Sequence, residues 1–392
     1  MKISRIGNLI GRAWLMTGIA LLLFGALEGT LSLFFHFKDH QGGPPAHGAD
    51  QRVAADSYAD ASWVTDYYRE LEQSADVRWE SYVYWRRKPF HGSHINIDQN
   101  GVRLTTSPAQ SSPPHTTEIL MFGGSTLWGT GVRDAFTIPS CLARALRQRE
   151  VACNVLNLGE TGYVSTQEVI ALMLRLREGH TPDLVIFYDG VNDTYSAWQQ
   201  RAAGVPQNEF NRVREFNTAS PTRLGTRVEL LLRDTAERLA TLRLLRGAGL
   251  KKAPDSVPSA DTLVANSEAL AQAVVDTYAA NIELVRALSS RYGFRCLFYW
   301  QPTMFEKRHL TEYERSQREH GLLMEPFFRL TYDAVRKSRL AQNEDGFHDL
   351  SSMFDDVKEP VYLDWCHVGE PANEAIAMRM VDDVLRAIPS RR

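Results

Sequence analysis

Cysteine is scarce in this chain. Four residues in 392 (Cys141, Cys153, Cys296 and Cys366) stand far apart, and none forms a C-x-x-C pair. That excludes a disulfide scaffold and argues against a structural zinc site. One bridge, Cys141 to Cys153, is open to the chain in an oxidising compartment, but buried thiols are the preferred reading. An excess of charge is also missing. The 44 Lys and Arg residues face 47 Asp and Glu, a net charge of −3, so no global basic field draws nucleic acid. The histidines show no metal-ligand spacing; His91 and His94 are close together, but in a loop without further candidate ligands. No internal repeat is visible. Hydrophobic residues make up 44% and charged residues 23%, ordinary values for one large globular domain or two small ones.

What the chain does have is a long apolar run near its start. Residues 13–35 read AWLMTGIALLLFGALEGTLSLFF, enough to cross about 30 Å of hydrocarbon at about 1.5 Å per helical residue. Lys2, Arg5 and Arg12 precede it and only Lys38 follows closely. The positive-inside bias puts the N-terminus in the cytoplasm and the body outside. The expectation is therefore a cytoplasmic stub and transmembrane anchor over 1–38. A cleaved signal peptide is the alternative, and it exports the body equally. Glu28 interrupts the run; a protonated or interface-seeking carboxylate is preferred there to a partner-binding group. Residues 39–61 are rich in Gly, Pro and Ala and read as a flexible tether reaching roughly 25 Å.

Residues 62–116 are rich in aromatics, including Trp63, Tyr67, Tyr68, Trp79, Tyr82, Tyr84 and Trp85. They suit stacking on sugar rings, with Arg86 and Arg87 for anionic groups. Packing onto the main domain is the preferred reading. The loop TTSPAQSSPPHTT then leads into residues 117–390, where short apolar runs alternate with helical patterns. EILMFGG, CNVLNLG, DLVIFYDG, FRCLFYWQP and a weak FHDLSSMF read as five strands. Helices are expected over 134–150, from Ser165 (with Ser165 and Glu168 as a capping box), and over 262–291, 322–341 and 371–388. This alternation predicts an α/β fold with a parallel sheet covered on both faces. Residues 196–261 break the pattern and read as an insertion. They carry a basic amphipathic helix near 227–252, suited equally to a lid, a membrane surface or ordinary packing.

Ligands of such sheets bind beyond the carboxyl ends of the strands, and the reactive residues of this sequence fall there. Ser125 follows two glycines after the first strand. NLGETG, with Gly162, follows the second, and DGVND, with Asn192 and Asp193, the third. Asp364 and His367 stand three apart just before the last helix. A serine hydroxyl needs a neighbouring base, which His367 supplies, and the imidazole needs a carboxylate to orient it, which Asp364 supplies. The Ser125 and Gly162 N–H groups and the Asn192 amide are the expected oxyanion donors. Asp193 reads as a brace for its loop and Cys366 as a packing residue. Gln301, ending the fourth strand, is a guessed substrate contact.

These segments, GGST, NLGETG, GVND and DWCH, resemble blocks I, II, III and V of the SGNH (GDSL-like) hydrolase superfamily over roughly residues 117–388. The resemblance implies a flavodoxin-like three-layer sandwich with five parallel strands, no metal, no cofactor and an acyl-serine intermediate. The aspartate that usually precedes the serine is Gly124 here. The anchored form, with NIDQNGVRLT in its N-terminal segment, is similar to SGNH proteins of bacterial exopolysaccharide systems. The implied function is a serine esterase that removes acetyl or other acyl groups from a glycan outside the cytoplasmic membrane. An O-acyltransferase using the same triad and a non-catalytic glycan-binding scaffold are the alternatives. The implied partners are an acylated carbohydrate or other ester, and the membrane through the N-terminal helix.

Overall fold

The computed structural model describes residues 2–41, 50–106, 116–219, 239, 241, 267–342 and 346–388. The tether residues 42–49, the Pro- and Ser-rich loop over 107–115, and the expected basic helix near 227–252, save residues 239 and 241, lie outside them. The chain divides into two compact units, Met1–Ala49 with Asn211–Ser259, and Asp50–Phe210 with Ala260–Arg392.

In the first unit, α1 (Lys2–Gln41) is a single helix. Its stretch Trp14–Leu33 is long and apolar enough to cross a membrane, and none of that stretch is buried in the protein. Glu28, the charge within it, accepts a hydrogen bond from the Thr241 backbone N–H at 3.1 Å.

The second unit starts with the short turns Gln51–Ala54 and Asp56–Tyr58, then α2 (Val64–Gln73), the hairpin β1 (Val77–Glu80) and β2 (Tyr84–Arg87), and the small pair β3 (Phe90–His91) and β4 (Asn96–Ile97). The main alternation follows: β5 (Thr117–Gly123), α3 (Ser125–Trp128), α4 (Ile138–Gln148), β6 (Cys153–Asn157), α5 (Ser165–Arg177), β7 (Leu184–Asp189) and α6 (Val191–Gln200); α7 (Glu209–Ala219) belongs to the first unit from Asn211 on. The second unit continues with α8 (Ser267–Tyr292), β8 (Arg295–Trp300), α9 (Glu312–Glu319), α10 (Glu325–Lys337), α11 (Arg339–Gln342), β9 (Phe347–Asp349) and α12 (Glu370–Ala387).

Five strands form one sheet in the order β6-β5-β7-β8-β9, and every pairing in it is parallel. This is the flavodoxin-like α/β arrangement. Both faces of the central strands are covered, so β5, β7 and β8 are mostly apolar, and their side chains alternate with period two. Leu120, Phe122, Val185, Phe187, Phe298 and Trp300 face one core with α5, α8 and α10. Ile119, Met121, Ile186, Tyr188, Leu297 and Tyr299 face the other with α4 and α12. Phe122, Phe187 and Phe298 stack across three strands, with centroids 5.3 and 5.4 Å apart. β9 is only three residues long, after which Leu350 and Phe354 turn into the second core.

Several expectations change. The tether is shorter than 39–61, because Ala55 and Tyr58 are buried in a cluster with Tyr67, Trp128 and Leu363. The same cluster seats the first aromatics of the next segment, Trp63, Tyr67 and Tyr68, and Arg86 and Arg87 are buried rather than presented to anions. The alternation continues past 196: α6 runs to Gln200, with Ser196 and Ala197 buried. Ser165 and Glu168 do not form a capping box. Val164 caps α5, its N–H bonded to Gln167 Oε1 at 3.3 Å. Ser165 instead donates its hydroxyl to Asp193 Oδ1 at 2.6 Å, and Glu168 is buried. Asp193, accepting the Ser165 hydroxyl and N–H, joins the third-strand loop to α5.

Arg103 joins the N-terminal segment to the sheet. A turn places it: Asp98 Oδ1 accepts from the Asn100 and Val102 N–H groups, and Gly101 takes φ +79. Its fully buried guanidinium pairs with Asp134 at 2.8 Å. It also donates to the carbonyls of Trp128 (3.1 Å), Gly129 (2.6 Å) and Val132 (2.7 Å). The first two acceptors lie at the end of α3, the helix that begins at Ser125. Replacing Arg103 by Met leaves Asp134 as a buried carboxylate without its cation. The expected outcome is a loss of about 3–5 kcal/mol in unfolding free energy, read as a lower denaturant midpoint at unchanged slope.

Candidate active site

Ser125 is the first residue of α3, separated from the end of β5 by Gly124 alone. Its Oγ lies 2.8 Å from His367 Nε2, and His367 Nδ1 lies 2.7 Å from Asp364 Oδ2. An ionised carboxylate only accepts, so Nδ1 carries the proton and Nε2 is left to accept from the serine. The three groups thus form one continuous relay. Asp364 Oδ1 also accepts the backbone N–H groups of Cys366 (3.0 Å) and His367 (2.8 Å). Burial works against the Asp364 charge, but His367 and Arg52 more than offset it and hold the carboxyl well below its usual range.

The relay loop is shaped from both sides. Leu363 N–H donates to His367 O at 2.8 Å, and Gly369 N–H to Val361 O at 2.9 Å. From below, the buried Glu314 of α9 accepts the Val361 and Tyr362 N–H groups (2.9 and 3.0 Å) while Lys307 Nζ lies 2.7 and 2.8 Å from its oxygens. From outside, Arg52 NH1 lies 3.3 Å from Asp364 Oδ2. Tyr313 OH donates to Leu363 O at 2.6 Å.

The other loops meet at Gly124. A methyl group placed there would lie 1.9 Å from Asn192 Nδ2 and 3.6 Å from Tyr163 O. The lack of a side chain at Gly124 therefore leaves the space that the Asn192 amide occupies. Gln207 Nε2 donates to Asn192 Oδ1 at 3.2 Å, which turns the Nδ2 donor the other way. Gly162 takes φ +79, a backbone that favours glycine, with Gln207 and Trp85 against it. Its loop is gripped by β2: Trp85 Nε1 donates to Thr161 O at 2.9 Å, and Arg87 N–H to the buried Glu160 at 2.9 Å.

Gln301 is placed differently from the guess made for it. It is 2% exposed, and its Oε1 accepts the Thr126 hydroxyl at 2.6 Å. It steadies the residue after Ser125 and is not offered to a substrate. Cys366 is buried, with Sγ 3.5 Å from His367 Nδ1. Burial, and next the Asp364 charge, raise its pKa well above the ordinary thiol value, so it stays a neutral thiol. All four cysteines are free. The Asp364, Cys366 and His367 side chains form a compact donor group, but both ring nitrogens are committed, to Asp364 and Ser125, and the thiol is protonated. That donor chemistry suits a proton relay better than a metal.

Sequence reading missed Arg52, Gln207 and Lys307. Arg52 acts across 312 positions and Gln207 and Lys307 across 15 and 7, and none of these leaves a spacing signal. Glu314 was legible only as the end of a Thr311-x-x-Glu314 capping box.

Below the Asn192 loop, Glu168 and Asp189 are buried side by side. Burial first, and then each other's charge or that of Asp193, raise both well above the carboxylate range. Two carboxylates have no donor between them, so the pair keeps a proton at neutral pH. The unfolded chain releases that proton above the ordinary range, near 4.5 for Glu168. Stability therefore falls as pH rises through that window, by about 1.4 kcal/mol per pH unit for one proton. Glu168→Gln, which keeps a donor, is expected to flatten this slope in denaturation midpoints measured from pH 5 to 8. Gly124→Ala is expected to keep the fold, because only a side-chain amide must move. On the esterase expectation, with Asn192 as an oxyanion donor, displacing Asn192 lowers kcat for p-nitrophenyl acetate by about 10²–10³.

No family model and no curated protein matches this sequence. Solved structures similar to it include an acetyl xylan esterase, AlAXEase, at 15% identity, covering 68% of this chain and 99% of that one, with TM-score 0.32. A member of the lipolytic G-D-S-L family from Veillonella parvula matches at 12% identity, over 69% of this chain and 100% of that one, with TM-score 0.39. A lipase/acylhydrolase from Enterococcus faecalis matches at 11% identity, over 71% and 100%, with TM-score 0.35. At these scores the likenesses assign neither activity nor substrate to this chain.

Proposed function

We propose that this protein is a serine esterase of the SGNH type, acting through an acyl-serine intermediate on ester-linked acyl groups. One observation carries the reading: the unbroken hydrogen-bond relay from Ser125 through His367 to Asp364. As Ser125 Oγ attacks the acyl carbonyl, its proton passes to His367 Nε2, and Asp364 compensates the charge on the ring. The oxyanion is taken up by the Ser125 and Gly162 N–H groups and by Asn192 Nδ2, the donor that Gln207 aims. Collapse expels the alcohol, which takes the proton from His367. Water then repeats the sequence on the acyl-serine, releasing the acid and restoring the hydroxyl.

The substrate reading is an acylated glycan. In the hairpin, Trp79 is paired across the strands with Trp85, whose ring borders Gly162. Trp79 is 68% and Tyr82 67% exposed, and Trp79 lies 5.5 Å from Tyr84. Tyr82 and Tyr84 take φ +72 and +75, a strained backbone for aromatic residues and one that accumulates at functional sites. An aromatic strip leading to an oxyanion loop suits pyranose faces. The apolar stretch Trp14–Leu33 and the cations before it support a single span with the second unit outside the cytoplasmic membrane.

In the detergent-solubilised full chain, a fluorophosphonate probe is expected to label wild type and not Ser125→Ala, and the variant is expected to lose about 10⁴-fold or more in kcat. Labelling that persists in Ser125→Ala rejects the assignment, and no labelling of wild type favours a binding scaffold. Trp79→Ala is expected to raise KM for an acetylated polysaccharide about tenfold with no change for p-nitrophenyl acetate. Acyl transfer to added glycan in excess of hydrolysis would identify a transferase.

A further inference from the structure

Arg52 touches the relay from a part of the chain that the reaction scheme does not use. Its NH1 lies 3.3 Å from Asp364 Oδ2, the same oxygen that receives His367 Nδ1–H. The guanidinium does not reach there loosely. Asp50 fixes it as a fork, with Nε to Oδ1 at 2.9 Å and NH2 to Oδ2 at 2.7 Å, and Asp50 Oδ1 also accepts the Arg52 N–H at 3.0 Å. The turn Gln51–Ala54 that bears Arg52 is tied to the relay loop by Tyr313, whose hydroxyl lies 2.6 Å from Leu363 O and 3.4 Å from Gln51 O. Arg52 also lies over the Tyr68 ring, 5.2 Å from its centroid. Leu363 packs in the same cluster as Ala55 and Tyr58.

We propose that Arg52 is a positioning residue for Asp364, and that the segment Asp50–Tyr58 is thereby a working part of the active site. The assignment rests on the esterase reading. Arg52 holds Oδ2 where the imidazole N–H points, so the ring stays in line with Ser125. It also places a cation beside a ring that must become cationic during acyl transfer. The charged and titratable groups around Asp364 and His367 are Arg52 and Asp50 from the turn, Asp56 beyond it, Tyr68 of α2, Tyr313 of α9, and Cys366 and Ser125. Of these, Arg52 is the cation, and Asp50 is the anion that offsets it.

The two substitutions therefore act with opposite sign. Removing the cation eases protonation of the ring, so Arg52→Gln moves the acid limb of the pH–kcat profile to higher pH. Removing the offsetting anion hinders it, so Asp50→Asn moves the limb to lower pH. Each shift is expected to be about half a pH unit, because the pair is partly open to solvent and each charge screens the other. Arg52→Gln is also expected to lower kcat for p-nitrophenyl acetate about tenfold at unchanged KM. Arg52→Lys, which keeps the charge and loses the fork, is expected to keep the limb in place and recover part of kcat.

The experiment uses the full chain in detergent, with pH–rate profiles of the three variants and thermal unfolding of each. Opposite shifts for Arg52→Gln and Asp50→Asn support the assignment, since loss of folded protein cannot move a limb in two directions. An unmoved limb with wild-type kcat in Arg52→Gln overturns it. So does a loss of kcat without any shift that Arg52→Lys fails to recover, which is the pattern of a merely structural contact. Absence of both fluorophosphonate labelling and ester hydrolysis in the wild-type chain is a separate result: it removes the esterase reading and this assignment with it.

Discussion

A carboxylate sealed away from water sets the geometry of this molecule. Glu314 is fully buried, and its charge is tolerable because Lys307 and three backbone N–H groups (Thr311, Val361 and Tyr362) surround it. Ions of this kind seldom add net stability, since removing them from water is expensive. What they do is demand a particular arrangement of their partners. Here two of the partners begin the loop that presents Asp364 and His367. His367 must come within hydrogen-bond reach of a serine 242 positions earlier, and an ion that fixes the loop's path makes that approach reproducible.

The loops around Ser125 follow the same logic of mutual constraint. Asn192 fits because Gly124 has no side chain, and its amide faces the right way because Gln207 holds its oxygen. The space left open at Gly124 is thus filled from Asn192. The buried Glu168 and Asp189 lie beneath this loop, close to where β7 ends, and give that end of the strand a protonation state of its own.

Sequence made the repeating parts legible. β5, β6, β7 and β8 announce themselves as apolar runs ended by Gly, Pro or a polar turn, and the long helices α8 and α12 by their period. Ser125, Gly162 and Asn192 stand out because each follows a strand beside glycine, and Asp364 and His367 because they stand three apart just before the last helix. Residues whose role depends on a distant partner were illegible. Arg52 reads as one arginine in a polar tether, and nothing in HGADQRVAADS shows that Asp364 waits for it. Gln301 reads as the end of the fourth strand, but only the fold shows that its amide points inward to Thr126. The supposed capping box failed for a similar reason: Asp193, 28 residues on, competes for Ser165 and wins.

Arg103 bears on how the molecule can be divided. Its guanidinium fills a slot lined by carbonyls at the end of α3, and it comes from a stretch of chain that precedes β5. A shortened protein beginning at β5 would keep every strand of the five-membered sheet, and by motif it would look complete. It would nonetheless open a hole beneath the serine helix, with Asp134 and three backbone oxygens facing it. The smallest autonomous body that keeps this site is thus defined by what stands behind Ser125, and it reaches well ahead of the first recognisable motif.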